Sequence, residues 1–350
     1  MSILKPILIP FSALYGLGVG IRNFLFDTGV LKSRSFKIPV LCIGNITVGG
    51  TGKTPHTELL IDTLRKEFRV ACLSRGYKRK SSGFVLATAA STAAELGDEP
   101  LQIHRKFPDI LVACDADRVR GIERLSALPE PPEVIVLDDA FQHRYVKAGK
   151  NIVLIDYHRP VNKDCLLPAG RLRERSSALK RADYLIVTKC PPTLSPIERR
   201  IFYKHLKIKP YQKLFFTRIG YGSIQSLDGT KEAIPADKKC GILCVTGIAQ
   251  PTPYIEHLKG ITPKVSEMRY PDHHAFTPRD LEEIAKKFQA LPEKKKYILT
   301  TEKDAMRLSS VALPEELKKH IRYIPIVPEF VKDQETFFTQ IVEYVRKNQK

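Results

Sequence analysis

The chain has 350 residues, with 57 Lys and Arg against 38 Asp and Glu, a formal net charge of +19, and 43% hydrophobic and 27% charged residues. That length suggests about two domains, each able to bury a core, and the ordinary composition excludes wholesale disorder. The basic balance favours an anionic partner: nucleic acid, acidic lipid or a phosphorylated substrate.

Residues 6–21, Pro-Ile-Leu-Ile-Pro-Phe-Ser-Ala-Leu-Tyr-Gly-Leu-Gly-Val-Gly-Ile, carry no charge, and Phe24, Leu25, Phe26, Val30 and Leu31 prolong the apolar character. The run is shorter than the roughly 20 residues of a spanning helix and is interrupted by Arg22 and Asp27. Lys5, Arg22, Lys32, Arg34 and Lys37 flank it. An apolar stretch with basic flanks suits a helix lying in the interface of an anionic leaflet. Packing onto the protein's own core is the alternative.

The next segment is the most informative. Pro39 to Ile46 reads as a buried strand and leads into Thr47-Val48-Gly49-Gly50-Thr51-Gly52-Lys53-Thr54-Pro55. Leu60, Ile61 and Leu64 then line one helical face. Strand, glycine-rich loop and helix together form a phosphate cradle of backbone N–H groups at a helix's positive end. Lys53 reaches the β/γ-phosphates of a nucleoside triphosphate and Thr54 holds Mg2+. Thr47 stands where the usual phosphate-loop pattern has its first glycine.

Strands are then predicted at Val70–Ser74, Ile110–Cys114, Val134–Leu137, Ile152–Ile155 and Tyr184–Thr188. Helices are predicted between them at Ala93–Lys106, Asp117–Ala127 and Arg173–Arg181. Alternation of this kind argues for an α/β fold, a P-loop NTPase-like parallel sheet flanked by helices. A turn-rich texture places a boundary near Phe216. Beyond it a second, smaller α/β domain is predicted, with elements at Ile242–Thr246, Pro253–Leu258, Lys264–Arg269, Pro278–Gln289, Tyr297–Thr300 and Tyr323–Ile326, closed by a helix through Tyr344. The expected division is therefore 1–32 for the interfacial helix, 33–216 for the P-loop domain and 217–350 for the second domain. The seven cysteines are scattered, and Cys240 and Cys244 lack a nearby partner pair for zinc. They read as reduced core residues of a cytoplasmic protein.

Several motifs could carry chemistry. The strand Glu133–Leu137 ends in Asp138-Asp139, where phosphate-loop enzymes hold Mg2+ directly or through water. Ala140-Phe141-Gln142-His143-Arg144 follows and is rich in donors. In Gly97-Asp98-Glu99-Pro100, Asp98 is a candidate base for a substrate hydroxyl, with helix capping as the alternative. Ser74-Arg75-Gly76-Tyr77-Lys78-Arg79-Lys80 and Leu167-Pro-Ala-Gly-Arg171-Leu-Arg173-Glu174 are basic loops, either phosphate clamps or solvated turns. Tyr270-Pro-Asp272-His273-His274 offers an oriented acid/base pair. Thr300-Thr301-Glu302-Lys303-Asp304 is either a loop beside a nucleotide base or a helix cap.

Taken in order, these motifs resemble the tetraacyldisaccharide 4'-kinase (lipid A 4'-kinase) family from about residue 12 to residue 306. The resemblance implies transfer of the ATP γ-phosphoryl group to the 4'-hydroxyl of a tetraacylated glucosamine disaccharide 1-phosphate, peripherally at the cytoplasmic face of the bacterial inner membrane. ATP and Mg2+ are the implied cofactors. The lipid A precursor and the membrane surface are the implied partners, with no nucleic acid and no obligate protein partner. By motif, Asp98 is implied as catalytic base, aided by His273, and Asp139 belongs to the catalytic group. Thr47 to Thr54 are implied to hold the phosphates. Thr54, Asp138 and Glu99 are implied to manage the metal, and Arg75, Arg171, Arg173, Gln142 and His143 to bind substrate. The alternative is a P-loop ATPase or GTPase switch acting through a nucleic-acid or protein partner. Against it stand the apolar N-terminus and the lack of aromatics among the basic clusters.

Overall fold

The computed structural model describes residues 4–230, 239–272, 274–309 and 311–349. The chain divides into two compact units, Met1–Ile219 with Pro328–Lys350, and Gly220–Val327.

The first unit begins with helix α1 (Leu4–Asp27). It continues through β1 (Val40–Asn45), α2 (Lys53–Leu64), β2 (Val70–Ser74), β3 (Val85–Leu86), α3 (Ala93–Leu96), α4 (Asp98–Lys106), β4 (Leu111–Cys114), α5 (Arg118–Ser126) and β5 (Val134–Asp138). After β6 (Lys150–Asp156), β7 (Tyr184–Thr188) and α6 (Pro196–Leu206), the chain leaves along β8 (Lys213–Tyr221).

The second unit contains β9 (Gln225–Ser226), β10 (Gly241–Thr246), α7 (Thr252–Ile261), β11 (Val265–Arg269), α8 (Pro278–Gln289), β12 (Lys296–Thr301), α9 (Glu302–Leu308), α10 (Glu315–Lys318) and β13 (Ile321–Ile324). The chain returns along β14 (Ile326–Phe330) and closes with α11 (Gln334–Asn348).

The first unit's nine-stranded sheet has the order β14-β8-β7-β6-β1-β5-β2-β4-β3. Neighbours from β8 to β4 are all parallel, and β3 runs antiparallel to β4. Successive β residues face opposite sides of a sheet, and both faces here are covered, which is why the strands read as unbroken apolar runs. Leu41 and Ile43 face one core with Leu60, Ile61 and Leu64 of α2 and Phe337, Ile341 and Val345 of α11. Val40 and Cys42 face the other with Ile122 and Leu125 of α5. The second unit repeats the plan on a smaller scale, with a β11-β10-β12-β13-β9 sheet that is parallel except at β9. Leu243 and Val245 face one side of it, Ile242 and Cys244 the other.

Four expectations change. The second unit does not run to residue 350, because α11 buries Phe337, Ile341 and Val345 in the first unit's core. Each such side chain contributes roughly 1.5–3 kcal/mol of burial, more than a free tail would gain. The single helix expected over Ala93–Lys106 is two, split at Gly97, whose φ of +90° and ψ of 162° cannot continue an α-helix. The helix expected over Arg173–Arg181 is only a 3-10 turn, Ser176–Arg181. Six of the cysteines are buried, but Cys165 is exposed.

The N-terminal helix is also longer than its uncharged run. At 24 residues it is long and apolar enough to cross a membrane by length and composition. One face of it is nevertheless docked. Ser12 Oγ donates to Leu166 O at 3.0 Å, and Tyr15 Oη donates to Arg173 O at 2.9 Å. Arg22 donates to Gln142 O and pairs with buried Glu174. Ile7, Phe11, Leu14, Leu17, Ile21 and Phe24, spaced at three or four residues, stay exposed on the other face.

Candidate active site

The site is built at the carboxyl ends of neighbouring parallel strands. Strand β1 pairs with β5, Ile43 opposite Asp138, so the loop leaving β1 and the two carboxylates ending β5 emerge side by side. In open α/β sheets this edge is where ligands bind.

Loop 46–52 is held from several sides. Asn45 Nδ2 donates to Thr51 Oγ1 at 2.8 Å, Thr188 Oγ1 donates to Thr51 O at 2.9 Å, and Lys189 Nζ donates to Gly50 O. Val48 N donates to Arg171 O at 2.8 Å and Arg173 N to Ile46 O at 2.8 Å. The basic loop 167–173 is thus laced to the start of the phosphate loop. At its end Gly52 is left-handed, φ +85° and ψ 26°, and hands over to α2 at Lys53. A side chain at that φ would be strained, and the turn aims the helix's unpaired N–H groups into the loop's cradle. The loop makes this left-handed exit at Gly52 with Thr, not Gly, at position 47.

Asp138 is almost completely buried and accepts from Thr57 Oγ1 at 3.1 Å. Burial first, then the nearby charges of Glu99 and Asp139, pushes its carboxyl up to about 7. Asp139 has a positive φ of 47° and turns its carboxylate toward two cations. Arg173 Nη1 lies 2.9 and 3.0 Å from its two oxygens, and Lys53 Nζ is 3.7 Å away. Arg173 also reaches Gln142 Oε1 at 3.4 Å, and Gln142 Nε2 donates to Asn45 O at 2.7 Å. Asp139, Arg173, Gln142 and Lys53 therefore belong to one network.

Gly76 and Gly97 bring the next residues close. A Cβ on Gly97 would sit 2.9 Å from Tyr77 O, and one on Gly76 would sit 2.9 Å from Leu96 O. The Arg75 loop and the Asp98-Glu99 helix start therefore pack backbone to backbone. Asp98 is exposed at the first turn of α4, and Glu99 is half-buried and close enough to Asp138 to raise its pKa. Arg75 and Arg171 are exposed, and Arg75 acts electrostatically on His143. Burial, then the charge of Arg118, brings His143 down to about 4, so it is neutral at neutral pH.

Arg118 is a residue the motifs did not mark. It is buried beside Asp138, Asp139 and Arg75, donates to Ala116 O at 3.1 Å, and leaves Nε with no protein partner. Its signal was there: a cation at the first position of α5, where the positive helix end disfavours it. Asn45 Oδ1 and His143 Nε2 are likewise buried without protein partners. Such unpaired polar atoms are costly unless a polar ligand meets them.

In the second unit, His273 and its expected role lie outside the described residues. His274 stacks on Tyr270 with ring centroids 4.7 Å apart and bonds Asp280 at 3.0 Å. Thr301 caps α9, and Asp304 accepts from Thr301 Oγ1 at 2.7 Å, Gly247 N at 3.0 Å and Arg307 at 3.0 Å. That motif is a cap that ties β12 to β10's end.

No three His, Cys, Asp or Glu converge as a metal cage among the described residues. Mg2+ does not require one. It takes one or two carboxylates and a hydroxyl, with phosphate oxygens and water completing the shell. A buried carboxylate destabilised by two acidic neighbours is chemically suited to such a cation, so Asp138, Glu99 and the buried Thr54 fit it.

A parallel sheet with a strand–loop–helix phosphate cradle beside paired carboxylates defines a phosphate-loop nucleotide-binding protein. Comparison with known proteins makes this specific. The tetraacyldisaccharide-1-P 4'-kinase model matches residues 4–346, and the chain belongs to that family. It is 51% identical over 348 residues to a tetraacyldisaccharide 4'-kinase of Phocaeicola vulgatus, covering 97% of this chain and 95% of the relative. It is 51% identical over 350 residues to the enzyme of that name from Bacteroides fragilis, covering 97% and 93%. The structure of LpxK from Aquifex aeolicus in complex with ATP superposes with a TM-score of 0.78 at 29% identity, over 99% of this chain and 100% of that one. The chain is thus a kinase, and the nucleic-acid or protein-directed switch is not favoured.

Proposed function

We propose that the protein transfers the γ-phosphoryl group of ATP to the 4'-hydroxyl of tetraacyldisaccharide 1-phosphate in lipid A biosynthesis. The observation that carries this reading is the meeting of loop 46–54 with Asp138 and Asp139 in a chain matched along nearly its whole length by kinases of that name.

The loop Thr47 to Thr54 holds the triphosphate through those of its backbone N–H groups not already bonded within the protein, as Val48 N is to Arg171 O, and Lys53 exchanges Asp139 for the β/γ-phosphate oxygens. Asp98, exposed at its helix start, accepts the proton of the 4'-hydroxyl as that oxygen bonds to the γ-phosphorus and the bond to ADP breaks. His273 assists this base. Arg173 and Asp139 orient each other, and Arg75, Arg171, Gln142 and His143 receive the substrate's phosphate and hydroxyl groups. Thr54, Asp138 and Glu99 hold Mg2+, which when bound offsets charge on the phosphate oxygens. The exposed apolar row of α1 rests in the cytoplasmic leaflet of the inner membrane while its polar row stays docked, delivering an amphiphilic substrate from the surface.

The test is ATP-dependent phosphorylation of the disaccharide 1-phosphate lipid in mixed micelles. Folded, ATP-binding protein that transfers nothing overturns the reading. Asp98→Ala should cut turnover by on the order of 10²-fold or more with ATP affinity nearly intact. Near-wild-type turnover would remove Asp98 from the role of base.

A further inference from the structure

His56 lies in the first turns of α2 and is buried, yet none of the motifs used above includes it. Its Nδ1 is 2.7 Å from Gly52 O, and its Nε2 is 2.9 Å from Thr217 Oγ1 on β8. A carbonyl can only accept, so Nδ1 carries the proton and Nε2 accepts from the Thr217 hydroxyl. The imidazole is enclosed, His56 being buried. The Thr217 side is equally enclosed, that residue being fully buried.

The bond to Gly52 has a consequence for the phosphate cradle. In a trans peptide the carbonyl and the following N–H point in opposite directions. Holding Gly52 O therefore fixes the direction of the Lys53 N–H, which opens α2 and has no partner within the helix. Gly52, free of a Cβ, is the loop residue most able to flip that peptide. Its other contact to α2, from His56 N at 3.3 Å, is long.

The geometry points to His56 as a positioning residue for nucleotide binding: it locks the Gly52–Lys53 peptide with the Lys53 N–H facing the triphosphate, and Thr217 in turn holds the imidazole. This inference rests on the ATP-binding reading of loop 47–54. It adds a side chain outside the glycine-rich motif to the machinery that shapes it.

The test uses the full-length protein in micelles with three variants. In His56→Asn the side-chain amide replaces Nδ1–H and can still donate to Gly52 O. His56→Ala loses both bonds, and Thr217→Val loses only the outer one. Equilibrium binding of a fluorescent ATP analogue and KM for ATP and for lipid are measured beside thermal unfolding without nucleotide. His56→Ala is expected to weaken ATP binding about tenfold, with the lipid KM unchanged. His56→Asn should recover most of that loss, and Thr217→Val should fall between. If the Ala and Asn variants bind ATP equally, or Thr217→Val matches wild type while Ala falls only with its melting temperature, His56 is a packing residue and the inference fails. A wild-type protein that does not bind ATP would instead defeat the functional reading itself, so the two failures are distinct.

Discussion

Arg173 places one guanidinium nitrogen 2.9 and 3.0 Å from the two oxygens of Asp139, a residue whose own backbone is left-handed at φ +47°. The pair joins the strand end after β5 to the loop that laces the phosphate cradle. It also determines where Lys53 rests before nucleotide arrives, 3.7 Å from the same carboxylate.

Backbone and side chain at position 139 can therefore be separated experimentally. Asn tolerates a left-handed φ, whereas a β-branched residue there costs on the order of 1–2 kcal/mol. Asp139→Asn should keep a melting temperature close to wild type while turnover falls on the order of 10²-fold, because both cations lose their anchor. Asp139→Val should lose activity and stability together. Equal melting temperatures for the two variants would show that the left-handed backbone is not a constraint.

The two faces of α1 predict a second separation. Ser substitutions at Phe11, Leu14 and Leu17 touch only the exposed row and should weaken sedimentation with anionic vesicles severalfold, with thermal stability unchanged. Tyr15→Phe removes only the hydroxyl that bonds Arg173 O, so it should disturb the loop rather than the membrane. Unchanged sedimentation of the triple variant would mean that the row serves some other contact.

Much of this was readable in the residues, and most of the exceptions share a cause. Strands β1, β2, β5 and β7 are apolar runs ending in turn or acidic residues, a local signal, and their bounds lie within a residue of expectation. The phosphate loop and Asp138-Asp139 were legible for the same reason. Strand β14 was not, because its place beside β8 depends on pairing across the whole second unit. Helix α6 buries no residue and so carries no clear apolar stripe. Arg173 on Asp139 and His56 on Thr217 are contacts between distant segments, which no spacing encodes. His56 in particular looks like an ordinary helix residue until Gly52 is seen in its left-handed turn.

The buried carboxylate of Asp138 predicts an opposed pH dependence for the free and the nucleotide-bound protein. Its folded pKa, about 7, lies above the usual carboxylate value of about 3.9 that it takes when unfolded. Between those values the folded state holds a proton that the unfolded state has released. The Asp138 contribution to stability is thus fully present below about 4 and is lost as pH rises through 7. His56 and His143, both lowered to about 4, act in the other sense and reduce stability as pH falls below about 6.5. The readout must therefore be the difference between wild type and Asp138→Asn, measured by urea unfolding from pH 5 to 8. Without nucleotide, the Asn variant should gain on wild type as pH rises. With Mg2+ and ATP the sign should reverse, because the cation takes the place of the proton and favours ionised Asp138. Nucleotide affinity of the wild type should then rise through pH 7 and that of the variant should stay flat. A difference that does not change with pH in the free protein would mean that Asp138 is already ionised, and that a cation of the site, Lys53 or Arg118, offsets it in place of the proton.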